Sequence, residues 1–117
     1  MRLNEITYTD ARPVDGYGPG FFRVGGEVMQ GGVLLLPDGL RPWAGYAALD
    51  PVLGAAGKVD FLFIGTGAEP AYLPRDFREA LEAAEIGVES MATPAACRTY
   101  NVLLSEGRRV GAALLAV

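Results

Sequence analysis

Two short segments hold residue types that can recognise a small ligand. Gly65-Thr66-Gly67 follows an apolar run, and glycines there leave backbone N–H groups approachable by an anion. Met91, Thr93, Cys97, Arg98 and Asn101 fall in and around the first turns of a segment with helical character. A helix N-terminus attracts anions by about 0.3–1 kcal/mol, and a guanidinium such as that of Arg98 can clamp a carboxylate or phosphate. If the strands preceding these segments are neighbours, Gly65, Thr66, Gly67, Met91, Thr93, Cys97, Arg98 and Asn101 border one crevice. The spacing matches neither the dinucleotide fingerprint nor the phosphate loop, so any ligand expected there is a weakly held small anion or metabolite. Thr93 can equally be a plain helix cap, and Gly65–Gly67 a plain tight strand exit.

Other chemistry is excluded by residue type. The chain has no histidine, which removes the usual general base, the commonest metal ligand and every histidine-activated nucleophile. Acidic residues are scattered, so no metal site and no cofactor are expected. Cys97 is the single cysteine; it has no resolving partner and is expected to be a buried, inert thiol. Gly16, Gly18 and Gly20 precede a hairpin and not a helix, and are read as structural. These features point to a protein that is not an enzyme.

The elements that position the two segments follow from periodicity. Val59–Ile64 is continuously apolar, as buried parallel strands are. Pro74 opens a helix to about residue 85, with Phe77, Ala80, Leu81 and Ala84 at helical spacing. Val88–Met91 is a short strand. Thr93 is expected as N-cap and Pro94 as the first residue of a helix to about 106, with Ala96, Tyr100 and Leu103 facing the core and Arg98, Asn101 and Ser105 forming a polar stripe. Val110–Leu115 is the last strand. Upstream, Phe21–Val24 and Glu27–Met29 flank Gly25-Gly26, a hairpin signal, and Gly31-Gly32 marks a bend before the strand Val33–Leu36. Residues 12–20 are expected as loop, and residues 40–57 give no clear pattern beyond Trp43 at the core edge. The fold class expected is α/β: a three-layer βαβαβ core with a mixed, largely parallel sheet plus an added N-terminal β-hairpin layer, in a single domain over 1–117.

Composition sets the remaining bounds. The 117 residues are 50% hydrophobic, enough for a core without staples. Ten basic against fourteen acidic residues give a net charge of −4, which disfavours nucleic acid and anionic membranes. No apolar run reaches the ~20 residues of a membrane span. The first ten residues lack the apolar region of a secretory signal, so a cytoplasmic location is expected.

The run Pro94–Leu114, with Ile64-Gly65-Thr66-Gly67, the hairpin segment Gly18–Val24 and Trp43, resembles a small family of uncharacterised α/β proteins. That family includes a mitochondrial respiratory complex I assembly factor and an adipogenesis-associated protein. The resemblance implies an α/β fold with an added β layer, no established catalytic activity, and action through a protein partner. The chain is expected to be a bacterial member, an accessory protein in the biogenesis of a membrane or respiratory complex. A small-anion binder using the strand-end crevice is the alternative.

Overall fold

The computed structural model describes residues 11–117, so the reading of the first ten residues lies outside the described part. Strands β1 (Val14–Gly18), β2 (Phe21–Val24) and β3 (Glu27–Gln30) form an antiparallel three-stranded sheet in that order. Gly25 and Gly26 have φ of 60° and 83°, the positive values a primed two-residue turn needs. β1 corrects the expectation of a loop over residues 12–20. Its glycines weaken it as an isolated strand, yet its register with β2 and two hydrogen bonds between Asn101 and Val14 hold it extended, with an irregularity between Val14 and Gly16.

Gly31, at φ 78°, carries the chain out of this sheet into β4 (Gly32–Leu36). A two-residue turn at Pro37-Asp38 returns it as β5 (Gly39–Trp43), antiparallel to β4. The helix α1 (Leu49–Leu53) follows; β5 and α1 resolve the segment whose sequence gave no pattern. Then come β6 (Phe61–Gly65), α2 (Arg75–Ala83), β7 (Val88–Met91), α3 (Thr93–Ser105) and β8 (Val110–Leu114). The second sheet has the order β5-β4-β8-β6-β7; β6 is parallel to both β7 and β8, and β4 is antiparallel to both β5 and β8. The architecture is thus the mixed α/β fold expected, with an added N-terminal β layer.

Strand alternation divides the apolar residues between two cores. Val33, Leu35, Phe63, Ala112 and Leu114 meet Phe22 and Val24 of the small sheet and Ala96 and Tyr100 of α3. Leu34, Leu36, Leu62, Ile64 and Ala113 meet Val52 of α1 and Phe77 and Leu81 of α2 on the opposite face. Trp43 closes the edge of this second core, its indole N–H donating to the Ala48 carbonyl at 3.1 Å.

Gly32 lies where β4 passes between β5 and β8. A Cβ there would sit 2.6 Å from the Trp43 carbonyl oxygen and 2.9 Å from that of Leu114, and neither backbone atom can yield. Gly32→Ala is therefore expected to destabilise the protein by about 1–3 kcal/mol, read as a lower urea midpoint at unchanged m-value. An unchanged midpoint would contradict this sheet geometry.

Candidate functional site

The chain reverses direction across the parallel strands. From β6 it crosses by α2 to β7 on one side; from β7 it crosses by α3, on the other face, to β8 on the far side of β6. The boundary between β6 and β8 is a topological switch point, where open α/β sheets usually hold ligands beyond the strands' carboxyl ends. Gly65, Thr66, Gly67, Met91 and Thr93 meet at this end.

Their polar atoms are spent on one another. Thr93 is fully buried; its hydroxyl donates to the Leu115 carbonyl at 2.7 Å and accepts the Gly67 N–H at 2.9 Å. The Thr93 N–H donates to the Gly67 carbonyl at 2.8 Å, and the Thr66 N–H to the Met91 carbonyl at 2.9 Å. The Thr66 hydroxyl bonds the Glu69 carbonyl at 2.8 Å. Thr93 is therefore not the cap expected. It is the first residue of α3, Ala92 holds the cap position, and no side chain caps the helix. The hydroxyl instead joins the ends of β6 and β8, its proton and acceptor capacity taken by Leu115 and Gly67. Gly65 makes room for it, since a Cβ there would stand 2.6 Å from Thr93 Oγ1.

Cys97, Arg98 and Asn101 belong to a different place. They line a cleft of about 280 Å³ between α3 and β1, with Asp15, Tyr17 and Pro94. The Asn101 side chain pairs with the Val14 backbone as a strand would, accepting its N–H at 2.8 Å and donating to its carbonyl at 2.9 Å. Tyr100 is buried, and its hydroxyl donates to the Arg12 carbonyl at 2.7 Å. Burial drives the Cys97 thiol up to about 11 from its ordinary 9.0, so it is neutral at pH 7. Arg98 is exposed, and the Asp15 carboxylate shares its cleft. Thus the sequence-predicted residues divide into an interlocked strand-end group and a helix-face group.

A larger cleft of about 530 Å³ went unmarked in the sequence. Tyr72, Arg75, Arg78, Ile86, Val88 and Ser90 line it, between α2 and the outer strand β7. The one available signal was the spacing of Arg75, Arg78 and Glu82 on a single α2 face next to Tyr72. Among the described residues no cluster of His, Cys, Asp and Glu is placed to hold a metal, and no helix is long and apolar enough to cross a membrane.

Two measurements check this geometry. Thr93→Val strands the Gly67 N–H and the Leu115 carbonyl and should cost about 1–3 kcal/mol for each buried group left unpaired, whereas Thr93→Ser should retain most of the stability. Equal losses for the two would mean that the hydroxyl is idle. At neutral pH the native Cys97 should react with a thiol reagent at least about a hundredfold more slowly than a free thiol, since raising the pKa from 9.0 to about 11 depletes the thiolate by that factor. The stability tied to the neutral thiol is fully present below pH 9.0, where the unfolded thiol is also neutral, and is lost as pH rises toward about 11. Labelling as fast as a free thiol would overturn this assignment.

An uncharacterised protein of Rhodobacter capsulatus is 50% identical over 98% of this chain and 93% of its own. NADH dehydrogenase (ubiquinone) 1 alpha subcomplex assembly factor 3 from Danio rerio is 31% identical, and from Homo sapiens 29% identical, over 85% and 87% of this chain respectively. The match spans only 61% and 59% of those two longer proteins. A Bartonella henselae structure described as an outer membrane protein superposes with TM-score 0.84 at 35% identity, covering 95% of this chain and 99% of that one. A Bordetella pertussis structure described as a Mth938-like domain gives 0.72 at 29% identity, covering 98% of this chain and 92% of that one. The family model described as protein of unknown function (DUF498/DUF598) matches residues 14–115, and the chain belongs to that family.

Proposed function

We propose that this chain is a non-catalytic accessory protein of the bacterial cytoplasm that binds a protein partner and assists assembly of a membrane-bound respiratory complex. The observation that carries this reading is its kinship, over most of its length, with proteins named complex I assembly factors. The site geometry supports it. The switch-point crevice is filled by Thr93 and closed by its bond to Leu115. The thiol of Cys97 is neutral, and Tyr100 and Asn101 are committed to holding β1. What remains for recognition is surface. The alternative, a small anion between Gly65–Gly67 and α3, has less support, because the amides of Thr66, Gly67 and Thr93 already donate to protein acceptors.

The test is deletion of the gene in its native host, followed by native gel electrophoresis of solubilised membranes with an in-gel NADH-oxidation stain. Loss of the assembled complex, restored by the wild-type chain, is the expected outcome. An unchanged complex in the deletion strain would overturn the assembly role.

A further inference from the structure

The two outer strands of the five-stranded sheet are finished differently. β5 carries Pro42, which has no N–H to offer, and Arg41, whose guanidinium is tied to Asp38 at 3.0 Å. Proline and fixed charge on an edge strand discourage the addition of another strand. Of the small sheet's two edges, β1 has its Val14 groups occupied by Asn101, while β3 (Glu27–Gln30) is free of proline and cations, as β7 is. β7, the sequence Val88-Glu89-Ser90-Met91, carries no proline and no cation.

The ladder fixes which β7 groups face outward. Leu62 N–H donates to Gly87 at 2.7 Å and Thr66 N–H to Met91 at 2.9 Å, with Leu62 in register with Val88. In a parallel pair this turns the main-chain groups of Glu89 toward β6 and those of Val88 and Ser90 away from it. Among the described residues, β7 pairs with β6 alone. Two N–H and two C=O groups therefore point away from β6 at the edge of the sheet, with Pro70, Ala71 and Tyr72 beside Ser90.

Beside them runs the cleft of about 530 Å³, walled by Val88 and Ser90 on the strand side and by Arg75 and Arg78 of α2 on the other. Tyr72 stands over it fully exposed, and the buried Ile86 contributes an apolar patch. Arg75 is engaged by Glu79 at 3.2 Å, while Arg78 has no carboxylate within ion-pair distance among the described residues. The charged lining residues are Arg75, Arg78 and Glu82, and with Arg75 paired to Glu79, Arg78 is the cation left for a partner's carboxylate.

We infer that β7 and this cleft form the docking site for an extended, acidic segment of the protein partner, which adds as a further strand beside β7. This rests on the partner-binding reading above and names the chemistry of the partner. The open main-chain groups of Val88 and Ser90 call for a backbone in strand conformation. Arg78 calls for an Asp or Glu side chain, and Tyr72 with Ile86 for an aliphatic or aromatic one on the same face of the added strand. A second copy of this chain fits less well. Twofold pairing of β7 with β7 keeps both α2 helices on one side of the joined sheet and sets the arginines of one copy against those of the other.

The test uses the whole chain and a displayed library of random linear peptides. Selected peptides should place an Asp or Glu two residues from an apolar one, so that both fall on one face of a strand, and should shift the amide resonances of Val88, Ser90 and Tyr72. Ser90→Pro removes an outward N–H that the sheet does not use, and Arg78→Glu reverses the exposed charge. Each should weaken binding by about tenfold, or about 1.4 kcal/mol, while Arg23→Ala on the small sheet leaves it unchanged. Thermal unfolding checks that Ser90→Pro still folds; if it does not, Arg78→Glu alone decides. Failure to select any peptide, or binding indifferent to the substitutions, would overturn the inference. So would a wild-type dimer that Ser90→Pro makes monomeric, since β7 would then serve a second copy. The two readings fail separately. A Ser90→Pro or Arg78→Glu chain that fully restores the respiratory complex in the deletion strain sinks the docking site alone. A deletion strain with an unchanged complex sinks the assembly role and leaves the peptide result standing.

Discussion

The hydroxyl of Thr93 has one proton to give and a lone pair to fill, and both are used at the carboxyl end of the sheet. It donates to Leu115 and accepts from Gly67, so one buried group fixes the exits of β6 and β8 relative to the start of α3. A buried hydroxyl without partners costs free energy, and buried backbone groups without partners cost more. The three therefore stand or fall together. Gly65 is a condition of the arrangement, because any side chain at that position would occupy the space of Thr93 Oγ1. The Leu115 N–H, bonded to the Gly65 carbonyl at 2.9 Å, closes the set.

From this point α3 carries order across to the small sheet. Three consecutive residues of the helix each spend a polar side chain on another segment: Thr99 on the Met91 sulfur at 3.7 Å, Tyr100 on Arg12, and Asn101 on both backbone groups of Val14. The three-stranded sheet has a narrow apolar face, mainly Val14, Phe22 and Val24, and small sheets of this size need packing and pairing beyond their own hydrogen bonds. Asn101 acts as a substitute strand for the first residue of β1. Residues that would otherwise suit ligand recognition are thereby consumed in joining two sheets.

How much of this was legible depended on whether the signal was local. Val59–Ile64 announced β6 because a strand buried on both faces needs apolar residues at every position. The helix of Phe77 and Leu81 and the Gly25-Gly26 turn were legible for similar reasons. β1 was not, because Asp15-Gly16-Tyr17-Gly18 is poor strand sequence, held extended by β2 and by Asn101, which lies far away in the chain. β5 was hidden in the same way by Gly39 and Pro42, residues that belong on an edge but read as loop. Thr93 shows the limit most plainly. Threonine before proline at a helix start signals a cap, and only the arrival of β8 beside β6 turns the hydroxyl to a different use. Arg98 and Asn101 share a helix face, but the sequence does not reveal that β1 lies against it.

A doubly wound sheet ordinarily reserves its switch point for a ligand, since strand ends and helix N-termini there leave N–H groups free. Here that place is closed by the protein's own threonine, and the most exposed aromatic side chain among the described residues, Tyr72, stands instead beside an outer strand. The fold has moved its unsatisfied hydrogen-bonding capacity from the end of the sheet to its side. Groups at a strand end suit a compact anion, which they can surround. Groups along a strand side are spaced at about 7 Å on the same edge and match another polypeptide backbone, which repeats at that distance. On the docking proposal, this spacing favours a polypeptide backbone over a compact anion, and Arg78 of α2 favours an acidic one.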